Sequence, residues 1–113
     1  MTDRELLTLA AKAAGFHYHG HRIGRDYENC YVSTTGDTDD WFVWSPLTDD
    51  GDALRLAVQL RLSIEFDDWS DGETVIITYG INIQAENIVT TDPYATTRRA
   101  IVRAAAEVGR GMK

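Results

Sequence analysis

Residues 63–83 read SIEFDDWSDGETVIITYGINI, and this stretch decides the fold. Before the turn signal at residues 70–72, Ile64 and Phe66 alternate with acidic residues. After it, every second residue from Val75 to Ile83 is apolar. Alternation of period two predicts strands, and Gly72 tolerates the positive φ that a hairpin loop requires. The stretch therefore predicts an antiparallel hairpin with strands over 63–69 and 74–83.

Three helices are predicted around this hairpin. Residues 2–5, Thr-Asp-Arg-Glu, have the spacing of a capping box and Gly15 follows as a stop signal, which predicts a helix over 3–14. Thr48 or Asp49 can cap a helix over 49–62, and Asp92 before Pro93 can cap a last helix over 93–109. The expected buried stripes are Leu54, Ala57 and Val58, with Leu56 and Leu60 beside them, in the second helix, and Tyr94, Ile101, Ala105 and Val108 in the last.

The rest of the chain predicts further strands. Residues 16–32 suggest two strands and a turn, residues 33–40 a polar surface loop, and residues 41–44 a short strand. Helices and antiparallel strands in this order indicate the α+β class. We expect an antiparallel sheet of about four strands with three helices packed mainly on one face, and a single domain over 1–113.

Charge is segregated along the chain. Residues 26–92 contain fifteen acidic residues and two basic ones, a net charge of −13, whereas the two ends together carry +6, for a total of −7. Phosphate contacts need clustered lysine and arginine, so direct binding of the body of the chain to nucleic acid or anionic lipid is disfavoured. An acidic middle instead steers a protein towards basic surfaces of other proteins.

The composition also indicates a compartment. The only cysteine, Cys30, cannot form an internal disulfide, as expected for a protein of a reducing cytoplasm. The sequence has neither the pattern of a signal peptide nor an apolar run of membrane-spanning length. We therefore expect a cytoplasmic protein without a membrane partner, and homo-oligomerisation stays open.

Acidic residues around the hairpin are the candidate partner-binding surface. If they share one exposed face, their carboxylates could compete for a basic groove that normally accepts nucleic acid. Trp69 would be the exposed aromatic anchor, less buried than Trp44 or Phe42. The alternative is capping and solvation, which we favour for Asp49 and Asp50. The candidate residues are Asp37, Asp39, Asp40, Glu65, Asp67, Asp68, Trp69, Asp71 and Glu73.

Three histidines offer a possible metal site. His17, His19 and His21 alternate with other residues, so on a regular strand their imidazoles would share one face, about 7 Å apart. Two of them could share a zinc ion if Cys30 or a carboxylate completed the ligand set. The alternative, which we favour, is an exposed polar strand face with no metal and no cofactor.

Arginines give the last helix a basic face. Arg98, Arg99 and Arg103 could contact nucleic acid, but we favour a solvated face that pairs with the protein's own acidic loops. The chain has no phosphate loop, dinucleotide fingerprint or nucleophile elbow, so a non-enzymatic role is favoured.

Two segments resemble a known family. Residues 44–58, WSPLTDDGDALRLAV, and residues 92–109, DPYATTRRAIVRAAAEVG, resemble small, mostly uncharacterised proteins of tailed bacteriophages and prophages. The opening helix before Gly15 is similar too, residues 16–43 and 63–91 are the variable part, and family members usually have Asn where this chain has Ser45. The resemblance implies a shared scaffold and a phage accessory protein made in the cytoplasm of a bacterial host. It implies no catalytic residues.

The leading functional hypothesis combines these features. We expect a non-enzymatic acidic phage or prophage accessory protein that binds a host or phage protein. Several acidic phage proteins block host nucleases, which suggests inhibition of a nucleic-acid-handling defence complex by analogy. The alternatives are a small metal-dependent enzyme that uses the three histidines and a nucleic-acid-binding regulator that uses the C-terminal arginines.

Overall fold

The computed structural model describes residues 2–21, 30–36, 40–68, 74–80, 83–89 and 92–112. Its order is one helix, three strands, a second helix, three strands and a last helix. The helices are α1 (Asp3–Ala13), α2 (Asp50–Gln59) and α3 (Pro93–Arg110). The strands are β1 (His17–His21), β2 (Cys30–Ser33), β3 (Phe42–Trp44), β4 (Ser63–Asp68), β5 (Thr74–Gly80) and β6 (Ile83–Ile88).

All three helices begin at a predicted cap. The hydroxyl of Thr2 accepts a hydrogen bond from the amide of Glu5 at 3.2 Å, and the carboxylate of Asp49 accepts one from the amide of Asp52 at 2.9 Å. The Asp92 carboxylate accepts from the first-turn amide of Tyr94 at 2.9 Å. These bonds satisfy amides that have no partner inside a helix. Asp49 is therefore a capping residue, as expected.

The strands form two antiparallel sheets of three, in the orders β1-β2-β3 and β4-β5-β6. The α+β class and the antiparallel pairing are confirmed, but the strands divide between two sheets where the sequence predicted one. The predicted hairpin is β4 and β5, paired from Ser63 with Tyr79 to Asp68 with Thr74. The predicted second strand over 74–83 instead ends at Gly80. Ile83 already belongs to a further strand, β6, which was not predicted and which pairs with β5.

Helix α3 is central to the packing. It contacts α1, α2, β5 and β6, and the main apolar core joins α1, β2, β3, α2 and α3. Arg103 of α3 donates to Asn87 Oδ1 of β6 at 2.8 Å, so the face of the β4-β5-β6 sheet that carries Asn87 faces the helix. Ile76 and Phe66 lie beside Asn87 in the register and share this face. The other face of the sheet points away from α3.

Helix α2 buries Ala57 and Leu56 as predicted, but not Leu54 or Val58. Ala53, Leu56 and Ala57 are buried, whereas Leu54 is 61% exposed and Val58 is 68% exposed. The distance between packed helices depends on the side chains at the contact, and the alanines allow α2 to lie close to α3. The prediction that Leu54 and Val58 belong to the buried stripe is wrong.

Helix α3 also departs from its predicted stripe at one end. Ile101 and Ala105 are buried as expected, but Tyr94 is 71% exposed. Tyr94 lies in the first turn, two residues after the Asp92 cap. Its ring lines an open groove beside β4, so the apolar stripe continues beyond the core to the surface.

Candidate functional site

Three carboxylates lie together on the helix-free face of the β4-β5-β6 sheet. Alternate residues of a strand point to opposite faces, and cross-strand partners share a face. Glu65 of β4 pairs with Ile77 of β5, which in turn pairs with Glu86 of β6, so both glutamates flank Ile77 on one face. Asp67 follows Glu65 by two residues and joins them. Together with Tyr79, these residues form what we call the acidic face: Glu65, Asp67, Tyr79 and Glu86.

The negative charges of this face affect the ionisation of the Tyr79 phenol. Its hydroxyl donates to a carboxylate oxygen of Glu65 at 2.9 Å. The pKa of Tyr79 is raised above its ordinary value, first by this hydrogen bond and then by desolvation and by the charges of Glu65, Asp67 and Glu86. All three carboxylates therefore act on one group, which agrees with their placement on one face.

The protein's own cations pair with other acids. Arg98 binds Asp50 at 2.7 Å and Arg99 binds Asp3 at 2.9 Å, while Arg55 binds Asp52 at 2.7 Å. Among the described residues, no ion pair reaches Glu65, Asp67 or Glu86. The three acidic residues of this face are exposed and are not neutralised by these arginines.

The basic face predicted on the last helix is largely occupied within the protein. Only 17% of the Arg98 side chain is exposed, and its Nε also donates to the carbonyl of Leu47 at 2.9 Å. Arg99 and Arg103 contact Asp3 and Asn87 respectively. These contacts agree with pairing inside the protein, the alternative that the sequence favoured over nucleic-acid binding.

The structure brings together only part of the predicted acidic surface. Glu65 and Asp67 share the acidic face, but Asp68 lies at a register position of the helix-facing side and accepts from the Thr74 hydroxyl at 3.0 Å. Glu86 was not predicted because β6 was not predicted, although residues 83–86 alternate between apolar and polar. The predicted residues Asp37, Asp39, Trp69, Asp71 and Glu73 lie outside the described residues.

Asp40 lies apart from the acidic face, next to the β1-β2-β3 sheet. Its carboxylate accepts from the hydroxyls of Thr34 and Thr35, both at 3.0 Å. Desolvation tends to raise the pKa of Asp40, but the hydrogen bonds from the two threonines outweigh it and hold the pKa below its ordinary value. The Asp40 carboxylate therefore binds Thr34 and Thr35 of its own loop in this structure.

The aromatic residues near the acids divide between core and surface. Trp44 is buried, with 3% exposed, whereas Phe42 is 39% exposed and Trp41 is 45% exposed. The expected comparison with Trp69 lies outside the described residues. Trp41 is the exposed one of the two described tryptophans; it immediately precedes β3 and is not part of the acidic face.

The histidine strand is not regular. A bulge in β1 pairs Tyr18 with Val32 and Gly20 with Tyr31, which leaves His19 as the extra residue. The alternation that would place His17, His19 and His21 on one face is therefore broken. Within the described part of the chain, no three histidine, cysteine, aspartate or glutamate side chains are grouped so that they could hold a metal ion.

His19 instead has local partners. Its Nε2 lies 2.8 Å from the Ser33 hydroxyl, and its ring stacks on Trp41 with centroids 4.6 Å apart. The Ser33 hydroxyl also accepts from the amide of Gly36 at 3.0 Å, and Ser33 is fully buried. A nucleophilic serine must reach its substrate, so this pair is a structural contact that fixes the bulge.

Cys30 is a core residue. It is fully buried, and its thiol donates to the carbonyl of Trp44 at 2.9 Å. Burial, with a smaller contribution from the Asp52 carboxylate, raises the pKa of Cys30 to about 12. A thiol that stays protonated is a poor nucleophile, so Cys30 offers no reactive group.

The raised pKa of Cys30 predicts that the folded protein loses stability at alkaline pH. The unfolded thiol ionises near its ordinary pKa of 9.0, whereas the folded thiol stays neutral up to about 12, so rising pH favours the unfolded state in that window. We expect the wild type to lose about 1–2 kcal/mol more than Cys30→Ala between pH 8 and pH 10.5. Denaturant unfolding of both proteins at the two pH values measures this difference. Parallel losses in the two proteins would contradict it.

Comparisons with known proteins add no relative. No protein-family model matches the chain, and neither curated proteins nor solved structures contain a match. Among the described residues, no helix is long and apolar enough to cross a membrane.

Proposed function

We propose that this chain is a non-enzymatic binding protein that docks on a basic surface of a partner protein through the acidic face. The observation that carries the proposal is the grouping of Glu65, Asp67 and Glu86 on the side of the sheet that α3 leaves uncovered. The described residues of that side include no lysine or arginine. Complementary basic groups on a partner would provide the missing counter-charges.

The rest of the charge distribution supports this proposal. Arg55, Arg98 and Arg99 bind carboxylates outside the acidic face and Arg103 binds Asn87, so these four arginines do not neutralise the acidic face. Such a potential increases the rate of encounter with basic proteins and weakens as salt is added. It also repels nucleic acid, which disfavours direct binding to DNA or RNA.

The nature of the partner is a further part of the proposal. The family resemblance of residues 44–58 and 92–109 suggests a phage or prophage accessory protein that acts inside a bacterial host. Host defence complexes that handle nucleic acid carry basic grooves, and carboxylates on a sheet can compete for such grooves. We therefore propose inhibition of such a complex as the role of the binding.

A charge-neutralising double variant tests the proposed function. Glu65→Gln with Glu86→Gln removes two charges from the acidic face and keeps side-chain size and the acceptor for Tyr79. Glu5→Gln with Glu107→Gln makes the same change on exposed positions of α1 and α3. We expect the first variant to bind the partner about five- to tenfold more weakly and the second to bind as the wild type does.

The measurement has two stages. Immobilised wild type captures proteins from a bacterial host lysate at low salt, and the purified partner is then titrated with the wild type and both variants at several salt concentrations. Equal affinities of the two double variants would contradict docking through the acidic face. Affinity that does not fall with salt would contradict an electrostatic interface.

A further inference from the structure

Strand β4 is at the edge of its sheet and has two unlike faces. The sheet order β4-β5-β6 gives β4 one strand neighbour among the described residues. Backbone N–H and C=O groups on the outer side of an edge strand are free to pair with another extended chain. On one face β4 presents Glu65 and Asp67, and on the other Ile64 and Phe66. All of these residues except Ile64 are exposed.

An open apolar groove runs beside the second of these faces. It has a volume of about 280 Å³ and lies between β4 and the first turns of α2 and α3. Leu54 and Phe66 are each 61% exposed and Tyr94 is 71% exposed, while Ile64 and Ile101 also line the groove. Asp50 and Arg98 also line the groove, and their carboxylate and guanidinium groups form an ion pair at 2.7 Å.

Two exposed side chains of the groove, Leu54 and Tyr94, are ones that the sequence pattern assigned to the core. Leu54 and Tyr94 continue the apolar stripes of their helices, yet no described element covers them. Contiguous exposed apolar surface marks interaction sites in soluble proteins. Residues that the sequence pattern predicts to be buried but that the structure exposes are likewise expected at a partner-binding surface.

We propose that an extended segment of the partner adds to the free edge of β4 as a further antiparallel or parallel strand. Its alternate side chains would be basic, over Glu65 and Asp67, and apolar, in the groove of Leu54, Phe66 and Tyr94. This inference rests on the proposed function and specifies the chemistry of the bound segment. Strand addition supplies main-chain hydrogen bonds, and the unlike faces of β4 select an alternating basic and apolar sequence.

The charges of β4 disfavour a second copy of the chain as the occupant. Pairing of β4 with β4 of another molecule would set Glu65 and Asp67 beside the same residues of the partner strand. Like charges placed opposite each other across strands are destabilising. A basic segment avoids this repulsion and neutralises the acidic face.

A synthetic peptide provides a defined probe. The probe is an acetylated and amidated peptide of about nine residues in which valine and lysine alternate. A peptide of the same composition, with the valines and the lysines in two separate blocks, is the control for pattern. We expect the alternating peptide to bind at low salt at least about tenfold more tightly than the block peptide, measured by titration calorimetry. Amide hydrogen exchange should slow at every second residue of β4.

Matched variants of α2 locate the peptide. Leu54→Ala removes a side chain of the groove, and Val58→Ala removes a similarly exposed apolar side chain one turn away that does not line it. We expect Leu54→Ala to raise the Kd about fivefold or more and Val58→Ala to leave it within about twofold. Equal effects of the two variants, equal binding of both peptides, or unchanged exchange in β4 would each overturn strand addition.

The outcomes separate this inference from the proposed function. If neutralising Glu65 and Glu86 weakens partner binding while Leu54→Ala does not, the acidic face is the docking site and strand addition is wrong. If Leu54→Ala weakens peptide binding and charge neutralisation has no effect on the peptide or the partner, the acidic face is not a docking site. Both the proposed function and the basic pattern of the bound segment are then wrong. Dimerisation of the wild type through β4, seen by sedimentation and lost with Phe66→Ala, would show that a second copy is the occupant and overturn the proposal.

Discussion

Replacing Gly109 by alanine is expected to destabilise the protein by about 3 kcal/mol, although alanine is the better helix former by about 1 kcal/mol. Gly109 is buried near the end of α3. A Cβ at this position would overlap the carbonyl oxygen of Leu9 in α1 and lie 2.8 Å from its carbonyl carbon. The atoms that it meets are backbone, so the two helices would have to move apart.

Gly111→Ala is the matched control for this prediction. A Cβ there would lie 3.6 Å from the nearest atom, the carbonyl oxygen of Val108, which is an ordinary contact. We expect its free energy of unfolding to remain within about 0.5 kcal/mol of the wild type. Denaturant unfolding of both variants measures the difference. A Gly109→Ala protein as stable as the wild type would contradict the close crossing of α1 and α3.

The features that could be predicted from the sequence are those decided by neighbouring residues. The caps at Thr2, Asp49 and Asp92 need only a side chain and an amide in the next turn. The hairpin of β4 and β5 needs alternation and a short turn. Local signals of this kind do not depend on how distant parts of the chain pack.

The features that were missed depend on distant contacts. Apolar residues occur on more than one side of α2, and bulk alone favoured Leu54 and Val58 over the small Ala53, although Ala57 was placed correctly. The close approach of α3 decides in favour of the alanines. Whether the strands form one sheet or two likewise depends on packing: each described sheet pairs only strands that are consecutive in the sequence, and α2 separates β3 from β4 along the chain.

The candidate site was predictable to the extent that its strands were. Alternation in β4 was sufficient to place Glu65 and Asp67 on one face, and the pairing of β4 with β5 agrees with this placement. Glu86 could be added only once β6 was known to pair with β5. The bulge at His19 has no short-range signal as specific as a turn, so the spacing of the histidines was misleading.

Two tryptophans three positions apart should respond very differently to truncation. Trp44 is 3% exposed and packs edge-on against Phe16, with ring centroids 5.4 Å apart. Trp44→Ala would leave a large cavity between β3 and α1, so we expect a loss of about 3–5 kcal/mol. Trp41 is 45% exposed, and its main contact is the stack on His19 at 4.6 Å. Trp41→Ala should lower stability by about 0.5–1.5 kcal/mol.

Thermal and denaturant unfolding of both variants measures this contrast, and Trp44→Phe guards against a Trp44→Ala protein that does not fold. Phenylalanine keeps an aromatic ring against Phe16 but leaves a smaller cavity, so its loss should fall between those of the two alanine variants. Domains of this size are stable by only about 5–15 kcal/mol, so the Trp44→Ala loss is a large share of the total. Equal losses at Trp41 and Trp44 would contradict the burial of the Trp44 ring and the exposure of the Trp41 ring.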